Sequence, residues 1–362
     1  MSSAAELRTG ETAAPARECT YAQALFEATC QEMERDPSVF VMGLGVDDPR
    51  GIHGTTLGLA GRFGADRCFD TPLAEDAMTG VAVGAALAGM RPVHVHERVD
   101  FLLLCMNQLV NVAAKARYTW AGAVQVPMTV RAAVGRSWGQ GPQHSQALHA
   151  FFAHVPGLKV AVPATPHDAK GCLAAAIRDD DPVIVMESRM LYRVSGVVPE
   201  APYAVPFGRA RVLAPGDDVT IVGVSHMALE SLRARERLAA AGVSAEVIDP
   251  VTLTPLDVGT LAASAARTGR LLVVDNGWVG CGLGAEIVAS VVEALQDGGA
   301  PRVARMGFAP SPCPTTRPLE DLFYPSAAGI AARAFALVTG EARAFPGAAE
   351  AGHEVAAFRG PF

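Results

Sequence analysis

The chain has 362 residues, of which 50% are hydrophobic and 19% charged, with a formal net charge of -7. Domains usually run about 100–200 residues, so two domains with full cores are expected. The acidic balance and the thin spread of 30 Lys and Arg argue against nucleic-acid binding, and no apolar run reaches the roughly 18–20 residues of a membrane helix.

Residues 1–18 are small and polar, lack the apolar stretch of a secretion signal, and are expected to be a disordered tail. Tyr21–Arg35 carries apolar residues at helical spacing behind a Thr20 cap. Val39–Met42 reads as a buried parallel strand. Glu75–Ala88 reads as a helix with a small-residue face, Val93–Val95 as a strand, Asp100–Arg117 as one long helix and Val126–Val130 as a strand. A Gly-rich loop, Gly135–Gly141, then leads into Gln143-His-Ser-Gln146. Leu158–Val162, Pro166–Ile177 and Val183–Met186 give strand, helix and strand. This alternation predicts an α/β fold with a doubly wound parallel sheet over residues 19–190.

Residues 191–215 are Pro-rich and aperiodic and read as a linker. A second α/β alternation follows within 216–340: strands at Val219–Val222, Ala245–Asp249 and Arg270–Val274, and helices at Ala228–Ala241, Leu256–Ala266 and Ala285–Leu295. Residues 341–362 read as a mobile tail. Seven scattered cysteines without a CxxC pair suit reduced thiols and a cytoplasmic setting rather than a disulfide scaffold.

Eight stretches, in order, carry a family resemblance. They are Asp70-Thr-Pro-Leu-Ala-Glu75, Gln143-His-Ser-Gln146, Ala153-His-Val-Pro-Gly-Leu-Lys159, Ala176-Ile-Arg-Asp-Asp-Asp-Pro182, Asp218-Val-Thr-Ile-Val222, Ala245-Glu-Val-Ile-Asp249, Thr252-Leu-Thr-Pro-Leu-Asp257 and Gly282-Leu-Gly-Ala-Glu-Ile287. Over roughly residues 19–335 the chain resembles the beta subunits of pyruvate, acetoin and branched-chain 2-oxo acid dehydrogenases, in the transketolase-like superfamily. The resemblance implies a pyrimidine-binding domain, a transketolase C-terminal domain, thiamine diphosphate as cofactor, and an α2β2 assembly with each site shared between subunits. In that family a GDG…N segment holds the diphosphate through magnesium. Neither Pro215-Gly-Asp-Asp218 nor Asp297-Gly-Gly299 fits it, so the alpha-type partner is expected to supply that half.

The resemblance also assigns residues. Glu75 would hydrogen-bond the cofactor's aminopyrimidine and favour its imino tautomer, while Leu73 and Phe101 would pack beside it; a plain acidic first helical turn and an ordinary core aromatic are the alternatives. His144 would handle protons near neutral pH; a structural loop histidine is the alternative. Val126, Met128 and Thr129 with Ala176, Asp179 and Asp181 match a structural potassium site, and a solvated acidic turn would look the same.

Two segments depart from the family pattern. His96, Glu97 and Arg98 stand where pyruvate-type relatives are largely apolar; facing the site they would suit an anionic or hydroxylated substrate with Arg98 as a clamp, and facing away they would pair at an interface. His94 and His96 share a strand face but lack a third metal ligand. Leu44 replaces an acidic residue, which Asp47 or Asp48 would have to replace in turn. In the Gly-rich loop, Arg136, Trp138 and Gln140 suit either an access channel for a lipoyl or acyl-carrier arm or a solvated surface.

The expected activity is decarboxylation of a 2-oxo acid with acyl transfer to a lipoyl-type acceptor. Ketol transfer or acyloin synthesis is the alternative that the polar 96–98 segment suggests, and a non-catalytic scaffold subunit the one that Leu44 suggests.

Overall fold

The computed structural model describes residues 17–48, 51–136 and 139–346. The first half contains β1 (Arg17–Thr20), α1 (Tyr21–Arg35), β2 (Val39–Gly43), α2 (Leu59–Phe63), β3 (Cys68–Asp70), α3 (Glu75–Leu87), β4 (Arg91–His96), α4 (Ala114–Thr119), β5 (Thr129–Val134), α5 (His149–Ala153), β6 (Lys159–Ala161), α6 (Pro166–Arg178), β7 (Val183–Ser188) and β8 (Ser195–Val198). The second contains β9 (Arg211–Ala214), β10 (Val219–Gly223), α7 (His226–Ala239), β11 (Ala245–Asp249), β12 (Thr252–Thr254), α8 (Val258–Thr268), β13 (Arg270–Trp278), α9 (Leu283–Ala294), β14 (Arg302–Phe308), α10 (Arg317–Phe323) and α11 (Ala327–Thr339).

Strands β2, β5, β7, β10 and β11 are buried at every position, as parallel strands covered on both faces must be. They form a seven-stranded sheet, β12-β6-β7-β5-β4-β2-β3, and a five-stranded sheet, β14-β13-β10-β11-β9. Both are parallel except at one edge, where β12 and β9 run antiparallel to their neighbours. Alternation along β4 splits the first sheet's faces. Val93 and Val95 join Val39, Val41, Val183 and Val185 under α1 and α6. His94 and His96 therefore turn to the other face, among Phe40, Met42 and Ala132. That face is covered by α3 and by residues 99–119.

Helix α1 begins as predicted. Thr20 Oγ1 accepts from Gln23 N at 3.2 Å while Gln23 Oε1 accepts from Thr20 N at 2.8 Å, a capping box. Four expectations are corrected. The predicted helix over Asp100–Arg117 is a 3₁₀ turn at Val99–Cys105, a π segment at Asn107–Ala113 and then α4, bent by 56° at the first junction. Apolar spacing does not separate these windings, and Asp100 is tied elsewhere, as shown below. The strand predicted from Val126 starts at Thr129, because Pro127 has no N–H to donate and Met128 N turns back to Val126 O at 2.8 Å. The linker contains two strands: β8 pairs with β1 and β9 with β11. Arg17 and Glu18, placed in the predicted tail, are paired in β1. Residues 1–16 and 347–362 of the two tails lie outside the described residues.

Among the described residues, one helical stretch, Arg317–Thr339, is long and apolar enough to cross a membrane. It is half buried, breaks into α10 and α11, and packs on α7, as a core helix does.

Candidate active site

The order of the first sheet reverses at β2, with β3 on one side and β4 on the other. In such sheets ligands bind beyond the carboxyl ends of the strands at this reversal. The segments leaving those ends carry the predicted catalytic and cofactor-packing residues: Leu73 and Glu75 after β3, Phe101 after β4 and the His144 loop after β5, with Leu44 after β2.

Glu75 opens α3, half buried, and its carboxylate has no hydrogen-bond or ion-pair partner among the described residues. It lies near Cys105, whose thiol burial pushes up to about 11, with the charges of Glu75 and Asp76 adding to the shift. Two large apolar side chains are left in the open nearby, Leu73 at 77% exposure and Phe101 at 36%. The Phe101 ring meets the His144 ring edge-on, with centroids 5.5 Å apart at 81°. The 3₁₀ turn bearing Phe101 packs against α3, the helix that Glu75 opens.

The loop bearing His144 is fixed by close backbone approach. A Cβ built on Gly135 would lie 2.0 Å from the His144 carbonyl oxygen, so only glycine fits there. Gly139 presses against the Thr315 carbonyl of the second half in the same way, and Gly141 against the Thr315 methyl. Arg136 stacks 4.1 Å over the Tyr324 ring, and its carbonyl accepts from Arg189 Nε at 3.1 Å. Arg136 thus joins the two halves instead of lining an open channel, because Tyr324 offers its cation a desolvated π face. Gln140 has a buried, unpartnered Oε1, and Trp138 lies outside the described residues.

The segment His96-Glu97-Arg98 does not act as one group, because the chain turns as it leaves β4. His96 is buried against His94, ring centroids 4.2 Å apart. Burial pushes His94 down to about 4 and also lowers His96, so both are neutral. Glu97 is exposed, with Oε1 facing Gly45, whose N–H donates to Asp70 Oδ1 at 2.7 Å. Asp70 and Glu97 thus both approach Gly45, next to Leu44, while Asp48 N closes the same turn on the Gly45 carbonyl at 3.3 Å. Arg98 is 8% exposed, donates Nη1 to the Glu97 carbonyl at 2.9 Å, and lies with Arg189 and His53. Burial, assisted by both arginines, pushes His53 down to about 4.

At the predicted potassium site the carboxylates already have protein cations. Lys159 Nζ sits 2.8 and 2.7 Å from the two Asp179 oxygens, and Arg117 pairs with Asp181. The carbonyls of Ala176, Met128 and Val126 accept from Asp179, Val183 and Met128. Thr129 begins β5 opposite Val93 and Val183.

Two features had no periodic signature to reveal them. Asp100 accepts from Gln146 through both its backbone N and Nε2, at 3.2 and 2.9 Å. His149 Nε2 meets Asp275 Oδ1 at 2.8 Å in a buried pair spanning 126 residues of sequence, and Asp275 Oδ2 also accepts from Gly284 N.

Residues 17–195 match the transketolase pyrimidine-binding domain and residues 208–330 the transketolase C-terminal domain. The chain is 44% identical to the acetoin:2,6-dichlorophenolindophenol oxidoreductase beta subunit of Cupriavidus necator, over 88% of this chain and 97% of that one. It is 41% identical to a mitochondrial pyruvate dehydrogenase E1 beta subunit of Oryza sativa, over 86% and 84% of the two chains. The 2-oxoisovalerate dehydrogenase beta subunit of Bacillus subtilis is also 41% identical, over 76% and 84%. A solved split-gene transketolase, described as an inactive beta4 tetramer, shares the fold at a TM-score of 0.73 and 24% identity, covering 88% of this chain and 98% of that one. The chain thus belongs to the beta subunits of the thiamine-diphosphate-dependent 2-oxo acid dehydrogenases, with a transketolase-type pyrimidine-binding domain and C-terminal domain.

Proposed function

We propose that this chain is the beta half of a two-component enzyme that decarboxylates a 2-oxo acid and passes the acyl group to a lipoyl-type acceptor. The observation that carries the reading is an unpartnered carboxylate, Glu75, opening the helix on which the Phe101 turn packs, with Leu73 and Phe101 exposed and the Phe101 ring against His144. These residues fit the aminopyrimidine end of thiamine diphosphate: a hydrogen-bond acceptor for a ring nitrogen and apolar surface for a flat heterocycle. When bound, that cofactor supplies an electron sink for cleavage next to a carbonyl.

Glu75 holds the ring nitrogen by a hydrogen bond and so sets the ring's tautomer. Leu73 and Phe101 pack on the ring and keep water from it. His144, braced by Phe101, moves a proton to or from the reacting substrate. The diphosphate and magnesium fall to the alpha-type partner, since this chain carries no GDG segment.

The apolar surface on and around α3 supports an assembly of the α2β2 kind: Val81 and Leu87 are 53% and 51% exposed, and Leu103 and Leu104 are 41% and 57%. A structural potassium ion would share the carbonyls of Val126, Met128 and Ala176 with the N–H groups they already accept, beside that of Thr129; a higher melting temperature in potassium than in sodium is the check. The seven free thiols suit a reducing cytoplasm. Acetoin cleavage is the second reading, favoured by the 44% identity to the Cupriavidus subunit.

The test reconstitutes the chain with its GDG-bearing partner, magnesium and thiamine diphosphate. CO2 release from a 2-oxo acid is expected, and Glu75→Gln should lower turnover by about 10²–10⁴-fold with the melting temperature unchanged. Turnover of acetoin without CO2 release would select the second reading, and an assembled pair that does not bind the cofactor would overturn both.

A further inference from the structure

Asp100 is a carboxylate at 5% exposure that the steps above leave unused. Its Oδ1 accepts both hydrogen bonds from Gln146, while Oδ2 is equally buried and has no partner. The next residue, Phe101, packs on His144. Asp100 and Phe101 therefore grip residues 144–146 from two sides, one by charge and one by ring contact. Oδ1 alone makes both bonds, so the tie between the turn and the loop runs through one buried atom.

We infer that Asp100 is a positioning residue for His144: it anchors the 144–146 loop through the two hydrogen bonds it accepts from Gln146. This rests on the reading of His144 as the group that moves the proton. Burial raises the Asp100 carboxyl, and the Gln146 hydrogen bonds and the charge of His144 oppose that rise. Arg136 and Arg189 stand at the ends of β5 and β7, and Cys313 and Tyr324 face the loop from the second half.

Two variants separate anchoring from charge. Asp100→Asn keeps an oxygen for both Gln146 donors and removes the charge, whereas Asp100→Ala removes both. Amide hydrogen exchange across residues 141–147, measured on the full chain alone, should be unchanged in Asp100→Asn and about tenfold faster in Asp100→Ala, as loss of roughly 1.4 kcal/mol of local stability requires. In the assembled enzyme, kcat should fall about tenfold in Asp100→Ala and be restored in Asp100→Asn, which keeps the acceptor for both Gln146 donors. An Asp100→Asn enzyme as slow as Asp100→Ala overturns the positioning role. Unchanged exchange in Asp100→Ala overturns the anchoring role. Because exchange needs no turnover, failure of the proposed reaction is distinguishable from failure of this inference.

Discussion

Replacing Gly135 by alanine tests how β5 presents His144. The added methyl carbon would lie 2.0 Å from the His144 carbonyl oxygen and 3.1 Å from its carbon, with Arg189 Cζ at 3.6 Å as the next neighbour. Arg189 is 2% exposed and is held by the Arg136 carbonyl, so it gives little room. The loop must retreat by roughly 1.4 Å to restore ordinary contact, and the Asp100–Gln146 bonds resist that retreat. Overpacking of this kind costs about 1–3 kcal/mol, and a displacement of about 1 Å in a positioned catalytic group costs about 10²-fold in rate. The expected result in the reconstituted enzyme is a 10²-fold lower kcat with a modest fall in urea midpoint. Wild-type kcat together with a wild-type midpoint would show that the close approach, and the positioning argument built on it, is wrong.

Three further outcomes follow from the fold. Arg131→Met strands Glu187, which is bound by Arg131 at 2.6 and 3.0 Å and by the Tyr192 hydroxyl at 3.0 Å, with both ionic side chains at 2% exposure or less; urea unfolding should show a loss of about 3–5 kcal/mol, much of it regained in the Arg131→Met, Glu187→Met double variant. His94 is neutral when folded, with its pKa lowered from 6.5 to about 4. The unfolded chain binds that proton more readily, so the wild type should lose stability as pH falls from about 6.5 to about 4, and His94→Gln should flatten that slope in urea titrations. Thr20→Ala removes the capping box of α1 and should lower stability by about 1 kcal/mol, read as a shift in urea midpoint.

The parts legible in the sequence were those fixed by local rules. Val39–Met42 and Val219–Val222 announce strands because both faces are buried, and Thr20 announces the start of α1. The segment after Asp100 was misread because apolar spacing is shared by 3₁₀, α and π windings, while its actual path follows a bond to Gln146, 46 residues away. For the same reason His96, Glu97 and Arg98 looked like one group: adjacency in sequence does not say which way the chain turns once it leaves a strand. The His149–Asp275 pair lay beyond reach because no rule of spacing links positions 126 residues apart.

Strand β12 departs from the second half to lie along β6 at the edge of the first sheet, pairing Thr252 with Ala161 and Thr254 with Val160. Just ahead of it, the Asp249 carboxylate accepts from Ala164 N at 3.0 Å and from Val251 N at 2.9 Å. The two halves are thus stitched together by main chain, and swinging one against the other would mean tearing strands apart. Opening and closing for substrate must therefore come from the loops at the rim. Either half produced alone would carry a raw edge or a dangling strand, an invitation to aggregate.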